Sequence, residues 1–229
     1  MNTKHKKPTL TKKQRHKLRV QQVRRQKIFL TCLFLLIVGC ILLRFSKFSG
    51  RQKETHQLNA ACEAYRDEVS SEAAQYDMSD YVDLILAVMM QESSGQGTDP
   101  MQSSEGAYNT RYPQQPNGIT DPSYSISCGI QELKYALDKA GCTGPTDLSK
   151  IRLALQAYNF GADSYFAYLE ENGQTVWTAQ SAQAFAQMAS GGTQRDEDDP
   201  LHDPAGPWDY GDQYYPDHVL RYYHLDNNS

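Results

Sequence analysis

The feature that most limits what this chain can fold into is an uncharged apolar run of sixteen residues, Ile28 to Leu43 (IFLTCLFLLIVGCILL). As a helix at about 1.5 Å per residue it spans about 24 Å, and Lys27 and Arg44 can snorkel across the rest of a hydrocarbon core about 30 Å thick. No soluble domain needs such a run beside a basic arm, so residues 28–45 read as a transmembrane signal anchor. Charge divides sharply around it. Met1 to Lys27 holds 11 Lys or Arg and no acidic residue, whereas all 27 Asp and Glu lie from Glu54 onward, among only eight Lys or Arg. The net charge of −4 therefore averages two different environments. The positive-inside rule puts the basic arm, residues 1–27, in the cytoplasm and everything after the span outside, as a single-pass protein of the cell membrane. Arg44, Lys47, Arg51 and Lys53 follow the span but do not outweigh the eleven.

Two other fates of the run compete with an uncleaved anchor. A cleaved signal peptide needs a small-x-small site, which LLRFSKFSG does not offer convincingly. Ile37-Val38-Gly39-Cys40 resembles a lipoprotein cleavage box with Cys40 as the lipidated residue, although the apolar run continues past it through Leu43. Topology and anionic lipid account for the basic arm without direct nucleic-acid binding.

Ser46–Gln57 reads as a polar stalk, and residues 58–229 as one mostly α domain. Leu58 to Tyr76 has helical spacing, with Leu58, Ala61, Cys62, Tyr65 and Val69 in one stripe. Ser79 or Asp80 is expected to cap a second helix, Tyr81 to about Ser94, which is apolar on nearly all sides and so belongs in the centre of the fold. Gly97 to Tyr124 is rich in Gly, Pro, Ser, Asn and Gln; a loop that long inside a compact domain is usually functional or mobile. Further helices are expected from Asp121-Pro122 to near Gly141, over Asp147–Asn159 with Gly161 as its stop, and over Ala162–Glu170 and Thr178–Ala189. The acidic, Pro-containing stretch Gln194–Gly211 reads as loop, and the aromatic stretch Tyr214–Tyr223 is expected to dock back on the domain. Cys62, Cys128 and Cys142 are an odd set, so they cannot all pair within one chain. Cys128 and Cys142 flank one helix and were candidates for a bridge. No cysteine spacing suits zinc, and no metal or other cofactor is expected.

Glu92 ends the apolar helix as Met89-Met90-Gln91-Glu92-Ser93-Ser94-Gly95. A carboxyl there has an apolar back and an open front, and desolvation raises its pKa towards what a general acid needs near neutral pH. The alternative is a solvent-exposed helix-terminal Glu, and position alone favours it.

Other motifs follow in order: Pro100-Met101-Gln102-Ser103-Ser104-Glu105-Gly106, then Ser127-Cys128-Gly129-Ile130-Gln131, then Ala157-Tyr158-Asn159-Phe160-Gly161. Together with Glu92-Ser93 they resemble the lysozyme-like superfamily of goose-type lysozymes and lytic transglycosylases. The run LILAVMMQESSGQGTDPMQSSEG is similar to the muramidase domain of CwlT-type cell-wall hydrolases from Gram-positive conjugative elements, and the resemblance extends over roughly Ala64 to Tyr223. It implies a lysozyme-like fold, Glu92 as general acid and Asp99 as a second carboxylate needed for muramidase activity. Gly95 and Gly97 would let Asp99 face Glu92 across a sugar, and a separation of roughly 6.5–9.5 Å would leave room for an inverting water. Asp99 is equally suited to capping a turn before Pro100. Ser93, Gln102, Ser103, Ser104, Gln131, Tyr158 and Asn159 are candidates for binding the sugar's N-acetyl and hydroxyl groups, with packing or loop support as the alternative. Glu105 is a further candidate in the loop.

The implied activity is cleavage of the β-1,4 bond between N-acetylmuramic acid and N-acetylglucosamine in peptidoglycan. Lytic transglycosylation and a non-catalytic scaffold of a secretion apparatus are the rival readings. The resemblance also implies peptidoglycan strands, the membrane and conjugative secretion-channel proteins as partners. CwlT-type proteins commonly carry a papain-like peptidase after the muramidase domain, and its absence before Ser229 leads us to expect no cleavage of peptide stems.

Overall fold

The computed structural model describes residues 56–199 and 202–224; the basic arm, the anchor and most of the stalk lie outside the described residues. Among the described residues no helix is long and apolar enough to cross a membrane. The architecture is helical. In chain order the helices are α1 (Ala60–Glu63), α2 (Arg66–Gln75), α3 (Val82–Ser93), α4 (Pro122–Ala140), α5 (Leu148–Phe160), α6 (Ala162–Glu171), α7 (Ala179–Ala189) and α8 (Tyr215–Leu220).

The core forms around α3, where every residue from Leu84 to Met89 is fully buried. Apolar residues all round leave a helix no stable position except the interior, and α1, α2 and α8 pack against it. α5 lies between α4 and α8. A second knot of aromatic rings closes the far end, with Phe160, Tyr165, Phe185 and Tyr210 at centroid distances of 5.1–5.8 Å. Tyr215, Val219 and Leu220 of α8 are buried, so the terminal aromatic stretch does dock back as expected. The acidic stretch before it carries one isolated bridge, Gln194 to Trp208.

Helix ends follow their local chemistry. The Asp121 carboxylate accepts from the Ser123 amide at 3.1 Å and starts α4, which stops at Gly141 with φ 69°. Thr178 and Ser181 form a reciprocal capping box on α7.

Three expectations fail here. The single helix expected over Leu58–Tyr76 breaks at Ala64-Tyr65, because α1 is committed to the end of α3. The Asn59 side chain donates to the Ser94 carbonyl at 2.9 Å, and a Cβ on Gly95 would lie 2.8 Å from the Cys62 amide nitrogen. Ser79 and Asp80 do not cap α3; they form a 3₁₀ turn, Ser79–Tyr81, that leads into it without a side-chain cap. Cys62, Cys128 and Cys142 are all free thiols, so the bridge considered between Cys128 and Cys142 is not made.

The long loop between α3 and α4 is anchored by burial as well as by hydrogen bonds. Met101 and Ile119 are fully buried, and the Met101 amide donates to the Ser125 hydroxyl of α4 at 3.1 Å. Gly129 makes this seat possible: a Cβ there would come within 2.6 Å of Met101 Cβ, an atom that cannot swing away without its backbone. Gly129→Ala is therefore expected to destabilise the domain by roughly 1–3 kcal/mol despite the better helix propensity of alanine. Urea denaturation of the two proteins would read this, and an unchanged or raised midpoint would mean that the loop moves aside freely.

Candidate active site

Glu92 occupies the last turn of α3. It lines a cavity of about 610 Å³ whose walls also include Gln102, Glu105, Tyr108, Glu132, Tyr158 and Asn159. The helix leading to it is buried, so its carboxyl has protein behind it and the cavity in front. Burial, with lesser repulsion from Asp212 and Asp99, pushes its pKa up from 4.5 to about 7, against an opposing hydrogen bond from Tyr215. That bond, from the Tyr215 hydroxyl to Glu92 Oε1, links residues 123 apart in the chain. Tyr215 stacks on Tyr158 at 6.3 Å between centroids, and the Tyr158 hydroxyl donates to the Met101 carbonyl at 2.9 Å. Burial, then the nearby Glu92 charge, holds both phenols protonated far above their ordinary range.

Asp99 has a different setting. It is 1% exposed, and its two oxygens accept four hydrogen bonds. Oδ1 accepts from the Ser103 amide at 3.0 Å and the Ser125 hydroxyl at 2.6 Å. Oδ2 accepts from the Ser104 amide at 3.1 Å and the Ser104 hydroxyl at 2.5 Å. The side chain thus closes a turn over residues 99–104 and fastens it to α4. The capping role considered for Asp99 matches this geometry.

The remaining candidates divide the same way. Gln102, Glu105, Tyr158 and Asn159 line the cavity beside Glu92. Gln131 lines an adjoining cavity, also of about 610 Å³, that shares Ala107 and Tyr108 with the first. Ser93, Ser103 and Ser104 are not among its walls. Ser93 ties α3 to the loop through a 2.8 Å bond to the Pro100 carbonyl, and Ser104 accepts from the Ile119 amide at 2.8 Å. Asn159 has a structural bond as well, accepting from the Asp212 amide at 2.7 Å.

Three functional candidates escaped the sequence reading. Tyr215 was expected only to dock, since nothing local in YYPDHVL announces a partner 123 residues away. Asp212 stands near enough to repel the Glu92 charge, and it too belongs to the closing segment. Glu132, next to Gln131, lines the cavity with a pKa raised to about 7, chiefly by burial and partly by Asp99 and Glu92, while a bond to the Tyr108 backbone opposes the rise. One of its oxygens, Oε1, is buried without a partner, lying where a Cβ of Gly106 would be. Its position among the turns Ile130, Leu133 and Leu137 was the available signal.

A family model described as lysozyme-like matches residues 60–223. The bifunctional muramidase/DL-endopeptidase CwlT of Bacillus subtilis is 35% identical over 169 residues, which is 74% of this chain and 44% of that protein. The uncharacterized membrane protein YocA of the same organism is 40% identical over 111 residues, 48% of this chain and 45% of that one. The chain thus spans less than half the length of these two relatives. Among solved structures, one described as similar to lipoprotein, of the NLP/P60 family from Staphylococcus aureus, superimposes with a TM-score of 0.63 at 27% identity, over 76% of this chain and 56% of that one.

The raised pKa of Glu92 has a consequence for stability. A carboxyl whose pKa rises on folding contributes stability that is fully present below its unfolded value, near 4.5, and is lost as pH rises through about 7. Glu92→Gln removes the charge, so above about pH 7 the variant is expected to exceed the wild type by on the order of 1–3 kcal/mol, the gap closing towards about pH 5. Urea midpoints across that range test it; parallel curves would mean that Glu92 is solvated in the folded protein.

Proposed function

Given that the chain belongs to the lysozyme-like family, we propose that it is a peptidoglycan hydrolase that cleaves the β-1,4 bond between N-acetylmuramic acid and N-acetylglucosamine. The observation that carries this reading is the Glu92 carboxyl, pushed up to about 7 by burial on the wall of a large polar cavity. At neutral pH a substantial fraction is protonated, as a general acid must be. The glycosidic oxygen takes the proton of Glu92 as its bond to the anomeric carbon breaks, and the Tyr215 hydroxyl holds the carboxyl in place through Oε1. The resulting carboxylate then accepts a proton from the incoming water, and the oxocarbenium-like centre is quenched to a reducing N-acetylmuramic acid end.

A second reading keeps the acid and changes the nucleophile. The two oxygens of Asp99 are fully engaged within the protein, and this favours chemistry in which Glu92 serves as both acid and base. The muramyl 6-hydroxyl then replaces water, and an anhydro end forms, as in lytic transglycosylases. On either reading Asp99 acts by holding the loop that carries Gln102 and Glu105. By the same proposal the anchor at 28–45 and the stalk at 46–57 hold the domain at the outer membrane face, beside conjugative secretion-channel proteins, and the wall is opened locally.

Incubating the full-length protein and its Glu92→Gln variant with peptidoglycan, with mass spectrometry of released fragments, decides the matter. The variant is expected to be slower by roughly 10²- to 10⁴-fold, and activity of the wild type is expected to fall as pH rises through about 7. Reducing ends identify a muramidase, anhydro ends a transglycosylase, and silence from both proteins overturns the enzymatic reading in favour of a wall-binding scaffold. Because Glu132 also has a pKa near 7, the pH profile of Glu132→Gln assigns the descending limb: it should persist there if Glu92 causes it.

Asp99→Asn replaces one acceptor oxygen by an NH2 donor that faces two of the four donors, and is expected to lower stability by roughly 2–5 kcal/mol along with activity. A variant as stable as the wild type but inactive would assign Asp99 to the reaction itself.

A further inference from the structure

A second cavity, of about 480 Å³, shares Asn159 as a lining residue with the Glu92 cleft. Its walls include Gln91, the residue before Glu92, and Tyr215, whose hydroxyl reaches Glu92. Four basic or imidazole side chains line it, Arg195, Arg221, His202 and His218, together with two carboxylates, Asp203 and Asp212.

The charges in this cavity do not all cancel. Asp212 is committed to the His218 ring at 2.5 Å and to the Tyr214 amide at 2.9 Å. Asp203 accepts from the Ala205 amide at 2.8 Å. Arg195, whose side chain is only 7% exposed, faces Asp209 at 3.5 Å and donates to the Gly211 carbonyl at 2.9 Å. Arg221 remains. Its guanidinium donates to the Gln91 side chain at 3.0 Å and lies 4.9 Å from the Tyr222 ring centroid, but among the described residues it forms no ion pair.

Two side chains of this wall each carry a buried polar atom that has no hydrogen-bond partner among the described residues, Arg221 Nε and His202 Nδ1. A guanidinium cannot shed its proton, so Arg221 Nε is an obligate donor. Leaving such a donor buried and unfilled is costly, more so when the group is charged. The missing partner is an acceptor, and planar carboxylate is the group that the guanidinium fork fits best.

We propose that this cavity is a second binding site that takes a carboxylate of the short peptide branching from the muramyl sugar, so that the protein reads the stem as well as the glycan it cuts. This rests on the peptidoglycan reading above. The shared Asn159 wall puts the cavity next to the cleft, where a branch from a bound strand can enter it. Tyr214, Tyr215 and Pro204 supply apolar surface for the peptide's aliphatic portions, and Gln91 and Gln213 supply amide groups.

The test uses the full-length Glu92→Gln protein, which retains substrate, and three probes: a muramyl oligosaccharide carrying its tetrapeptide stems, the same oligosaccharide stripped of peptide, and the free tetrapeptide. Calorimetry is expected to show the stem-bearing glycan binding about 10-fold or more tightly than the stripped one. Adding Arg221→Gln should abolish that preference and leave affinity for the stripped glycan unchanged. Equal affinity for the two glycans overturns the proposal without any cavity variant, as does an Arg221→Gln protein that weakens both alike. The free peptide separates this proposal from the one on which it rests. A shift of the Arg221 Nε–H resonance on titrating the peptide supports the cavity even if neither glycan binds, and no shift at millimolar peptide means that the donor is met by water alone.

Discussion

A carboxylate that water cannot reach must have its lone pairs filled by the protein, and the four bonds to Asp99 organise everything around the cleft. Two of the donors are successive backbone amides, so the loop after Pro100 can close only in the conformation that presents both. A third donor, Ser125, belongs to α4 and fixes the turn in space. The fourth, the Ser104 hydroxyl, in turn accepts from Ile119 and draws in the far end of the loop. Gln102 and Glu105 face the cavity because the residues between them are held from beneath. The positive φ of Gln102, 50°, is tolerated within this over-determined turn.

Glu92 shows what the same functional group does when it is supplied differently. It lies seven residues earlier, and it has one phenolic donor where Asp99 has four. Its charge is therefore poorly solvated by protein, and its proton is retained to about pH 7. The fold thus separates two carboxyls that the chain places close together: one is met by four donors and the other by a single phenol.

Much of the helical plan was legible because its signals are local. Asp121-Pro122 and Gly141 bound α4, Gly161 ends α5, and the uniformly apolar stretch before Glu92 had no place but the core. The break at Ala64-Tyr65 was not legible, since it answers to the close approach of Gly95, a contact between residues more than thirty positions apart. Tyr158 and Asn159, singled out in the sequence by the resemblance of Ala157–Gly161, do line the cavity beside Glu92. The serines of the loop could not be assigned from sequence, because a hydroxyl suited to a sugar is equally suited to a buried carboxylate. Tyr215 and Glu132 were missed for related reasons: one acts across the whole domain, the other is a polar residue whose burial depends on Gly106 leaving room.

The closing segment has little periodicity and yet reaches the cavity beside Glu92. Asp212 donates its amide to Asn159 and accepts from His218, so the chain is clamped to α5 just before α8 begins. That clamp presents Tyr215 to Glu92 and Arg221 to Gln91, two successive side chains in the last turn of α3. The His56 amide meets the Arg221 carbonyl at 3.1 Å, which brings the start of the domain to the same place. Among the described residues α8 is the last helix, and its Tyr215 supplies the hydroxyl that meets the buried Glu92 carboxyl.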